Sequence, residues 1–258
     1  MDVIYAMANA KILEKGLRLL EELAESADGL TAVELAERIG VHKTSVYRYI
    51  NSLLDMGYIQ NDNDSRYHLG NKILELGSQK LRRMPLRETA HPFLIKLNEE
   101  TQKTVHLCVL DRQDVVYIDK IESHRTLPIM SRIGSRAPAY CTGVGKALLS
   151  GLPTDQVVSL LREMTLERRT PNTITDPMKL LEEIKLTAER GYAIDNGEHE
   201  AGIKCLAAPV RGYGGDVIGA ISITGLKREF DDLGSVKELE NGIKRVANDV
   251  SKALGYTT

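Results

Sequence analysis

Apolar residues in the first part of the chain recur with the period of an α-helix. One apolar face of the first predicted helix is defined by four residues: Leu13, Leu17, Leu20 and Ala24. Other apolar residues flank this face: Ile12, Leu19 and Leu23. Because the spacing is three or four positions, the face forms a stripe that can pack against other elements. Thr31 and Glu34 then match a capping box at the start of a second, shorter helix, which Gly40 ends.

A third helix is predicted to begin near Lys43 and to be closed by Gly57. Its inward face is apolar: Val46, Ile50, Leu53 and Leu54. Two short strand patterns follow at residues 58–59 and 66–69, on either side of a polar turn. Helix, short helix, turn, helix and hairpin is the order of a winged helix-turn-helix. We therefore expect residues 1–70 to form a winged helix-turn-helix DNA-binding domain.

Charge is segregated within this predicted domain. No acidic residue lies between Arg38 and Asp55, whereas the first two helices are rich in glutamate. Basic and hydroxyl side chains on an exposed helix can contact phosphates and base edges in the major groove. The candidate DNA contacts are seven residues of the third helix and the hairpin: Lys43, Thr44, Ser45, Tyr47, Arg48, Asn51 and Arg66. The alternative is an ordinary solvated face, since residues 1–83 hold 11 basic and 12 acidic residues.

Residues 71–84 form a short amphipathic segment after the predicted hairpin. The segment favours a connector helix, which is either a plain linker or part of a dimer contact. Helix-turn-helix proteins that read two half-sites about one helical turn apart do so as two-fold dimers. A dimer contact in or near this connector would meet that requirement.

Residues 85–258 alternate between helical and strand patterns, which predicts an α+β domain around an antiparallel sheet. The expected strands lie at 104–110, 115–121, 127–133, 192–195, 204–210 and 217–224. Among the helices, we expect one over 86–101 to be interrupted near Pro92, and one before Gly191 to be capped by Thr175. A glycine-rich turn joins the last two strands, and a closing helix spans 233–254.

Composition limits the possible classes of protein. The chain has 258 residues, a hydrophobic content of 42% and a net charge of −2, so it is large enough for two domains with buried cores. It shows neither an apolar run of about 18 residues nor a secretory signal pattern, so we expect a cytoplasmic protein without membrane spans. The three cysteines are far apart, which argues against disulfides and a structural zinc site. We expect no metal and no cofactor.

Candidate chemistry lies where predicted strands meet helices. Residues 143–146 (Gly-Val-Gly-Lys) open a helix, so their N–H groups favour an anion, although a glycine-rich start can equally serve close packing. The polar run 195–200 could hold sugar hydroxyls, cap a turn, or bind a metal with His106 and Cys141. Cys141 before a helix start also allows a thiol enzyme as the alternative. Ser222 and Thr224 share one face of a strand.

Taken together, these patterns resemble the IclR family of bacterial transcriptional regulators over nearly the whole length of the chain. The resemblance is carried by His42–Arg48, by Ser131–Lys146 and by the spacing of Gly191, Asp195, Glu198 and Cys205. It implies a non-enzymatic repressor with a profilin- or GAF-like effector domain, acting on operator DNA as a homodimer or dimer of dimers. It also implies a pocket for a small carboxylate metabolite.

Carried over position by position, the resemblance implies eight effector-binding residues: Gly143, Val144, Asp195, Ile203, Cys205, Ser222, Thr224 and Arg132. Segments 104–107, 116–123 and 130–134 are most similar to the branch that responds to 2-keto-3-deoxygluconate. A carboxylate is expected near Gly143, with assistance from Arg132. Because Asp195 would repel it, we expect Asp195 to take hydroxyl groups at the other end of the pocket.

Overall fold

A computed structural model describes residues 2–62, 64–123, 131–230 and 233–257. These residues divide into two compact units, the first ending at Arg83 and the second beginning at Met84. The helices of the first unit are α1 (Asp2–Glu25), α2 (Ala32–Ile39), α3 (Lys43–Asp55) and α4 (Asn71–Arg82). Its strands are β1 (Ile59–Asn61) and β2 (Tyr67–Leu69), which pair in antiparallel fashion.

The first unit has the winged helix-turn-helix architecture that the sequence predicts. The Thr31 side chain accepts a hydrogen bond from the Glu34 amide and the Glu34 carboxylate accepts one from the Thr31 amide, so the capping box is present. Gly40 ends α2 with φ of 64°, a left-handed conformation that glycine adopts at little cost. The predicted hairpin forms the wing, and Leu30 bridges to Tyr67 beside it.

The prediction for the buried face of α1 is wrong in part. Leu13 and Leu17 are 66% and 52% exposed, whereas Leu19 and Leu23 are buried in the core with α2, α3 and the wing. The helix carries apolar residues on two adjoining faces, so periodicity alone does not decide which face meets the core. The exposed apolar residues lie in a groove together with Tyr49 and Met56.

The second unit is built on a six-stranded antiparallel sheet in the order β5-β4-β3-β8-β7-β6. Its strands are β3 (Thr104–Asp111), β4 (Asp114–Ile121), β5 (Arg136–Pro138), β6 (Ala193–Asn196), β7 (Ile203–Arg211) and β8 (Val217–Leu226). Its helices are α5 (Pro85–Thr101), α6 (Gly143–Leu149), α7 (Thr154–Glu163), α8 (Pro177–Arg190) and α9 (Leu233–Ala253). The α+β prediction is confirmed.

The two faces of this sheet have separate cores. Leu206, Ile221 and Ile223 point to one face and pack with residues of α5 and α9. Ala207 and Ala220, at alternate positions on the same strands, point to the other face and pack with α6, α7 and α8. The small residues of this second face let α6 approach the sheet closely.

Three details of the predicted second unit need correction. Pro92 lies inside α5 without interrupting it, because proline removes only one backbone donor and buried residues on both sides hold the helix against the sheet. Asp176 rather than Thr175 caps α8, since its carboxylate accepts from the amides of Met178 and Lys179 at 2.8 and 3.2 Å.

The third correction concerns the strand predicted over 127–133. Residues 127–130 of that segment lie outside the described residues, and residues 131–133 are not in a strand. The edge strand is instead β5, which pairs with β4 through Val116↔Arg136 and Asp114↔Pro138. A three-residue strand that ends in proline has no apolar alternation to detect, and proline is tolerated at a sheet edge.

Candidate functional site

The exposed face of α3 gathers most of the residues predicted to contact DNA. Five of them are exposed: Lys43, Thr44, Tyr47, Arg48 and Asn51. Ser45 is half-buried near the start of the helix, and the opposite face buries Val46 and Ile50. The helix therefore presents a basic and hydroxyl-rich surface of the kind that enters a major groove.

Arg66, the remaining predicted DNA contact, forms hydrogen bonds and an ion pair within the first unit. Its guanidinium donates to the carbonyl of Gly29 at 3.0 Å and lies 3.5 Å from the Glu34 carboxylate. Its backbone amide donates to Asp62 in the wing turn at 2.8 Å. Arg66 thus ties the wing to the segment before α2.

A cavity of about 160 Å³ lies in the second unit, between the start of α6 and the sheet face that carries small residues. Seven of the eight predicted effector-binding residues line it: Gly143, Val144, Asp195, Ile203, Cys205, Ser222 and Thr224. The eighth, Arg132, is exposed and is not part of the lining, whereas Arg136 on β5 is.

The register of the sheet explains why residues distant in sequence share this wall. Asp195 pairs with Cys205, and Cys205 pairs with Thr224 across β6, β7 and β8. In the neighbouring row, Ser222 pairs with His106 of β3. Because alternate residues of a strand share a face, both rows point into the cavity.

Several further residues that line the cavity were missed as effector-binding residues: His106, Tyr117, Ser131, Ser135, Arg136, Ala137, Thr142, His199 and Glu200. From the sequence, His106 is a candidate metal ligand and part of the family-like segment 104–107. His199 and Glu200 belong only to the run 195–200, for which sugar hydroxyls, a turn cap and a metal are all open. Strand alternation could have placed His106 on a buried face, but its partner Ser222 becomes visible only when the strand order is known.

His106 is the centre of a buried hydrogen-bonded group. Its Nε2 lies 2.7 Å from the hydroxyl of Ser131, and its Nδ1 lies 3.3 and 3.4 Å from the hydroxyls of Ser222 and Thr224. The Tyr117 ring packs edge-on at 5.1 Å between centroids. Burial, with a smaller contribution from the Lys120 charge, lowers the pKa of His106 to about 3. The imidazole is therefore neutral and offers one donor and one acceptor.

The glycines at the start of α6 are explained by close packing. A Cβ on Gly145 would lie 2.1 Å from the carbonyl oxygen of Ala139, so the two atoms would overlap sterically. A Cβ on Gly143 would lie 3.3 to 3.7 Å from the Cβ atoms of Cys205, Ala207 and Asp195. Gly145 is thus required by the fold, and Gly143 brings the start of α6 against the cavity wall.

This packing overturns the expectation that Asp195 lies at the opposite end of the pocket from Gly143. The two residues are neighbours, since a Cβ on Gly143 would lie 3.7 Å from the Cβ of Asp195. The sequence places them 52 positions apart, and only the pairing of β6 with β7 beneath α6 brings them together.

A buried ion pair lies behind this wall. Lys146 of α6 is 1% exposed, and its Nζ donates to the Glu198 carboxylate at 2.5 Å. Glu183 of α8 lies 4.0 Å from the same Nζ and pairs with Arg190 at 2.6 Å. The amide of Glu198 in turn donates to the Asp195 carboxylate at 2.7 Å. The pair therefore fixes the turn that positions Asp195.

The alternative of a thiol enzyme is rejected. Cys141 is fully buried in the apolar cluster rather than on the cavity wall. Burial raises the pKa of its thiol to about 12, so the nucleophilic thiolate is scarcely populated at neutral pH. Within the described ranges, no three histidine, cysteine, aspartate or glutamate side chains lie close enough together to hold a metal ion.

A winged helix-turn-helix followed by an α+β unit with an internal cavity defines a class of protein, the one-component DNA-binding regulator. The sequence models of two domains match this chain: the IclR helix-turn-helix domain over residues 12–63 and the bacterial transcriptional regulator IclR C-terminal domain over residues 78–252. The chain belongs to the IclR family. It is a DNA-binding transcriptional regulator with an effector-binding domain, and the family is not enzymatic.

Similar proteins agree with this assignment. The chain is 35% identical to the HTH-type transcriptional regulator KdgR of Escherichia coli (strain K12), over 92% of this chain and 90% of that protein. It is 32% identical to XynR of the same organism, over 95% and 97%. The crystal structure of Thermotoga maritima IclR is 34% identical, with a TM-score of 0.80 over 96% of this chain and 100% of that one.

The identities to these differently named regulators differ by only a few per cent, so they do not place the chain in one branch of the family. The described helices include none that is long and apolar enough to cross a membrane.

We predict losses of stability of different size for alanine substitutions at the two glycines of α6. Gly145→Ala should destabilise the fold by about 1–3 kcal/mol, because the new methyl group overlaps backbone that cannot move away. Gly143→Ala should cost less, since its contacts are near ordinary packing distance, but it should fill part of the cavity. Urea denaturation of both variants measures the difference, and equal losses would contradict this account of the packing.

Proposed function

We propose that this protein is a repressor whose affinity for operator DNA is controlled by a small carboxylate metabolite, a 2-keto sugar acid. The observation that carries the proposal is the cavity in the second unit. Its wall combines hydroxyl groups, a neutral imidazole and backbone amides within a buried space. A metabolite that carries both hydroxyls and a carboxylate matches that set of groups.

The size of the cavity favours a small ligand. Pockets for drug-sized ligands commonly measure about 300–1,000 Å³. At about 160 Å³ this cavity is smaller, and Val144 closes one side of it. An aliphatic acid of a few carbons therefore fits the space better than a large cofactor.

We propose that the effector carboxylate lies against Gly143 and Val144, with its hydroxyl groups toward Ser222 and Thr224. The amide of Gly145 is occupied by the Thr142 hydroxyl at 3.2 Å, which leaves the preceding backbone for the ligand. His106 links Ser222 to Ser131 and can adjust its donor and acceptor to the ligand. Arg132 has no place in this arrangement, since it does not line the cavity.

The first compound that we propose as effector is 2-keto-3-deoxygluconate. Three segments resemble the branch that responds to it: residues 104–107, 116–123 and 130–134. They supply His106, Tyr117 and Ser131, which all line the cavity. The resemblance therefore coincides with the place where a ligand would be recognised.

DNA recognition is proposed to use α3 of two subunits. The exposed apolar groove along α1 supports a homodimer or a dimer of dimers, since contiguous exposed apolar surface marks protein contacts. On the connector helix α4, Leu74 and Leu76 are also exposed. A second copy of the chain is the proposed partner, because two recognition helices are needed for two half-sites.

Removal of the Arg48 side chain should weaken operator binding. Arg48→Ala is expected to cost at least about 1 kcal/mol, because an exposed guanidinium on the recognition helix contacts a base or a phosphate. Arg38→Ala is the control, since Arg38 pairs with Glu22 on a different surface at 3.3 Å. Fluorescence anisotropy with an operator selected in vitro measures both affinities. Equal affinities would contradict the proposed orientation of α3.

A charge in the α1 groove should weaken self-association. Leu17→Glu places a carboxylate on surface that the proposed dimer buries, whereas Met178→Glu changes an exposed apolar residue on α8. Sedimentation velocity is expected to show a shift toward monomer for the first variant alone. If both variants sediment as the wild type does, the groove is not the dimer contact.

Effector and operator should oppose one another. If 2-keto-3-deoxygluconate is an inducer, it must bind more weakly when the operator is bound, because the coupling free energy is reciprocal. A thermal-shift screen of 2-keto and sugar acids identifies binding, since a ligand specific to the native state raises the melting temperature. Titration with and without operator then measures the coupling, and equal affinities would rule out this mechanism.

A further inference from the structure

Asp195 lines the cavity that is proposed to bind an anionic effector, so the role inferred for Asp195 in effector binding rests on the proposed function. Asp195 is 3% exposed at the end of β6 and forms part of the cavity wall. Its neighbour Gly143 forms the adjacent wall. An effector carboxylate in the proposed position against Gly143 therefore lies close to the Asp195 carboxyl group.

The charged groups behind Asp195 already balance one another. Lys146 of α6 pairs with Glu198 at 2.5 Å, and Arg190 of α8 pairs with Glu183 at 2.6 Å. Two cations thus meet two carboxylates. An ionised Asp195 would add a negative charge to this group without adding a cation.

Three strand residues that line the cavity with Asp195 carry no charge. Its partner on β7 is Cys205, whose thiol is kept neutral because burial raises its pKa. On β3, burial lowers the pKa of His106 to about 3, so that imidazole is uncharged. On β4, burial raises the pKa of Tyr117, so its hydroxyl also stays neutral.

The loops and the edge strand that border the cavity add little positive charge near Asp195. His199 has a lowered pKa because of burial, and its neighbour Glu200 is an acid. Arg136 of β5 is bound by Asp111 at 2.7 Å and by Asp114 at 3.2 Å. Arg169 is exposed to solvent and lies 3.5 Å from His199. Lys120 of β4, whose charge acts on His106, pairs with Glu122 at 2.8 Å. Arg136 and Lys120 are therefore paired with carboxylates, and Arg169 is exposed to solvent.

An effector carboxylate and an ionised Asp195 would then repel one another in a buried space. Two carboxyl groups in one site avoid this repulsion when one of them keeps its proton. We propose that the effector binds together with one proton, which Asp195 holds and donates to the effector carboxylate in a hydrogen bond. Asp195 is thus a specificity-determining residue for an anion, and the proton comes from the solvent.

The surroundings of Asp195 already favour its protonated form before any ligand binds. Burial raises its pKa to about 7, and the nearby Glu198 charge adds to this effect. The backbone amides of Glu198 and His199 and the Lys146 charge act in the opposite direction, but burial outweighs them. The amide of Glu198 donates to one oxygen of this carboxyl group, Oδ1, at 2.7 Å.

The affinity for the effector should fall as pH rises. The binding-competent form is protonated, so the apparent affinity falls in proportion to its population. With a pKa of about 7, the protonated fraction falls about tenfold between about pH 6 and about pH 8. The 2-keto acid itself stays ionised throughout this range, so its own charge does not contribute.

Calorimetric titration of the full-length protein with 2-keto-3-deoxygluconate tests the proposal. In two buffers of different ionisation enthalpy at about pH 8, the wild type should take up close to one proton per bound ligand. Asp195→Asn keeps a hydrogen-bond donor at this position without a titratable proton. This variant should therefore bind the ligand without proton uptake, and with equal affinity at about pH 6 and about pH 8. Glu182→Gln removes an exposed carboxylate of α8 that does not line the cavity, and it should retain the proton uptake.

Binding without proton uptake by the wild type would overturn the proposal and leave the proposed function standing. Uptake that persists in Asp195→Asn would overturn it as well.

A second measurement decides the case in which 2-keto-3-deoxygluconate does not bind. Infrared difference spectra of the ligand-free protein, wild type minus Asp195→Asn, report the carboxylic acid band of Asp195 directly. The band is expected to titrate near neutral pH. A band that has already disappeared near the ordinary pKa of aspartate, about 4, would overturn the proposal whatever the effector is.

Discussion

The buried pair of Lys146 and Glu198 is the interaction on which the cavity depends. A charged side chain with 1% exposure is stable only beside its counter-ion, because removing either partner leaves an uncompensated buried charge. The pair joins α6 to the turn after β6. Since the Glu198 amide also donates to the Asp195 carboxyl group, the same contact sets the position of Asp195 in the cavity wall.

Close packing supports this pair from the other side. Gly145 lets α6 meet the backbone of Ala139, and the small side chains of Cys205 and Ala207 let Gly143 reach the sheet. The part of the wall formed by His106, Cys205, Ser222 and Thr224 offers neutral donors and acceptors rather than charges. This differs from the exposed face of α3, where Arg48 and Lys43 remain in water and available to phosphate. In the proposed mechanism, long-range electrostatics serve DNA binding, and short-range, proton-dependent contacts serve effector binding.

Local interactions explain which parts of the fold were predictable. The capping box at Thr31, the left-handed Gly40 and the strand–turn–strand wing each involve residues within a few positions of one another, so a sequence pattern contains all the information. Predictions failed where packing between residues distant in the sequence decides the local structure. The apolar pattern of α1 allowed two faces, and the core selected the one with Leu19. The proline in α5 was tolerated because the sheet supports the helix on both sides of it.

By itself, the sequence determined the order of elements, the separation into two units and the family, and through family motifs it indicated seven residues of the cavity wall. Only the tertiary structure decided what these residues can do. Strand register brought His106 to Ser222, and the packing of α6 brought Gly143 to Asp195. Burial then set their protonation, because the cost of a charge depends on the solvent and counter-ions around it, which a linear sequence does not contain.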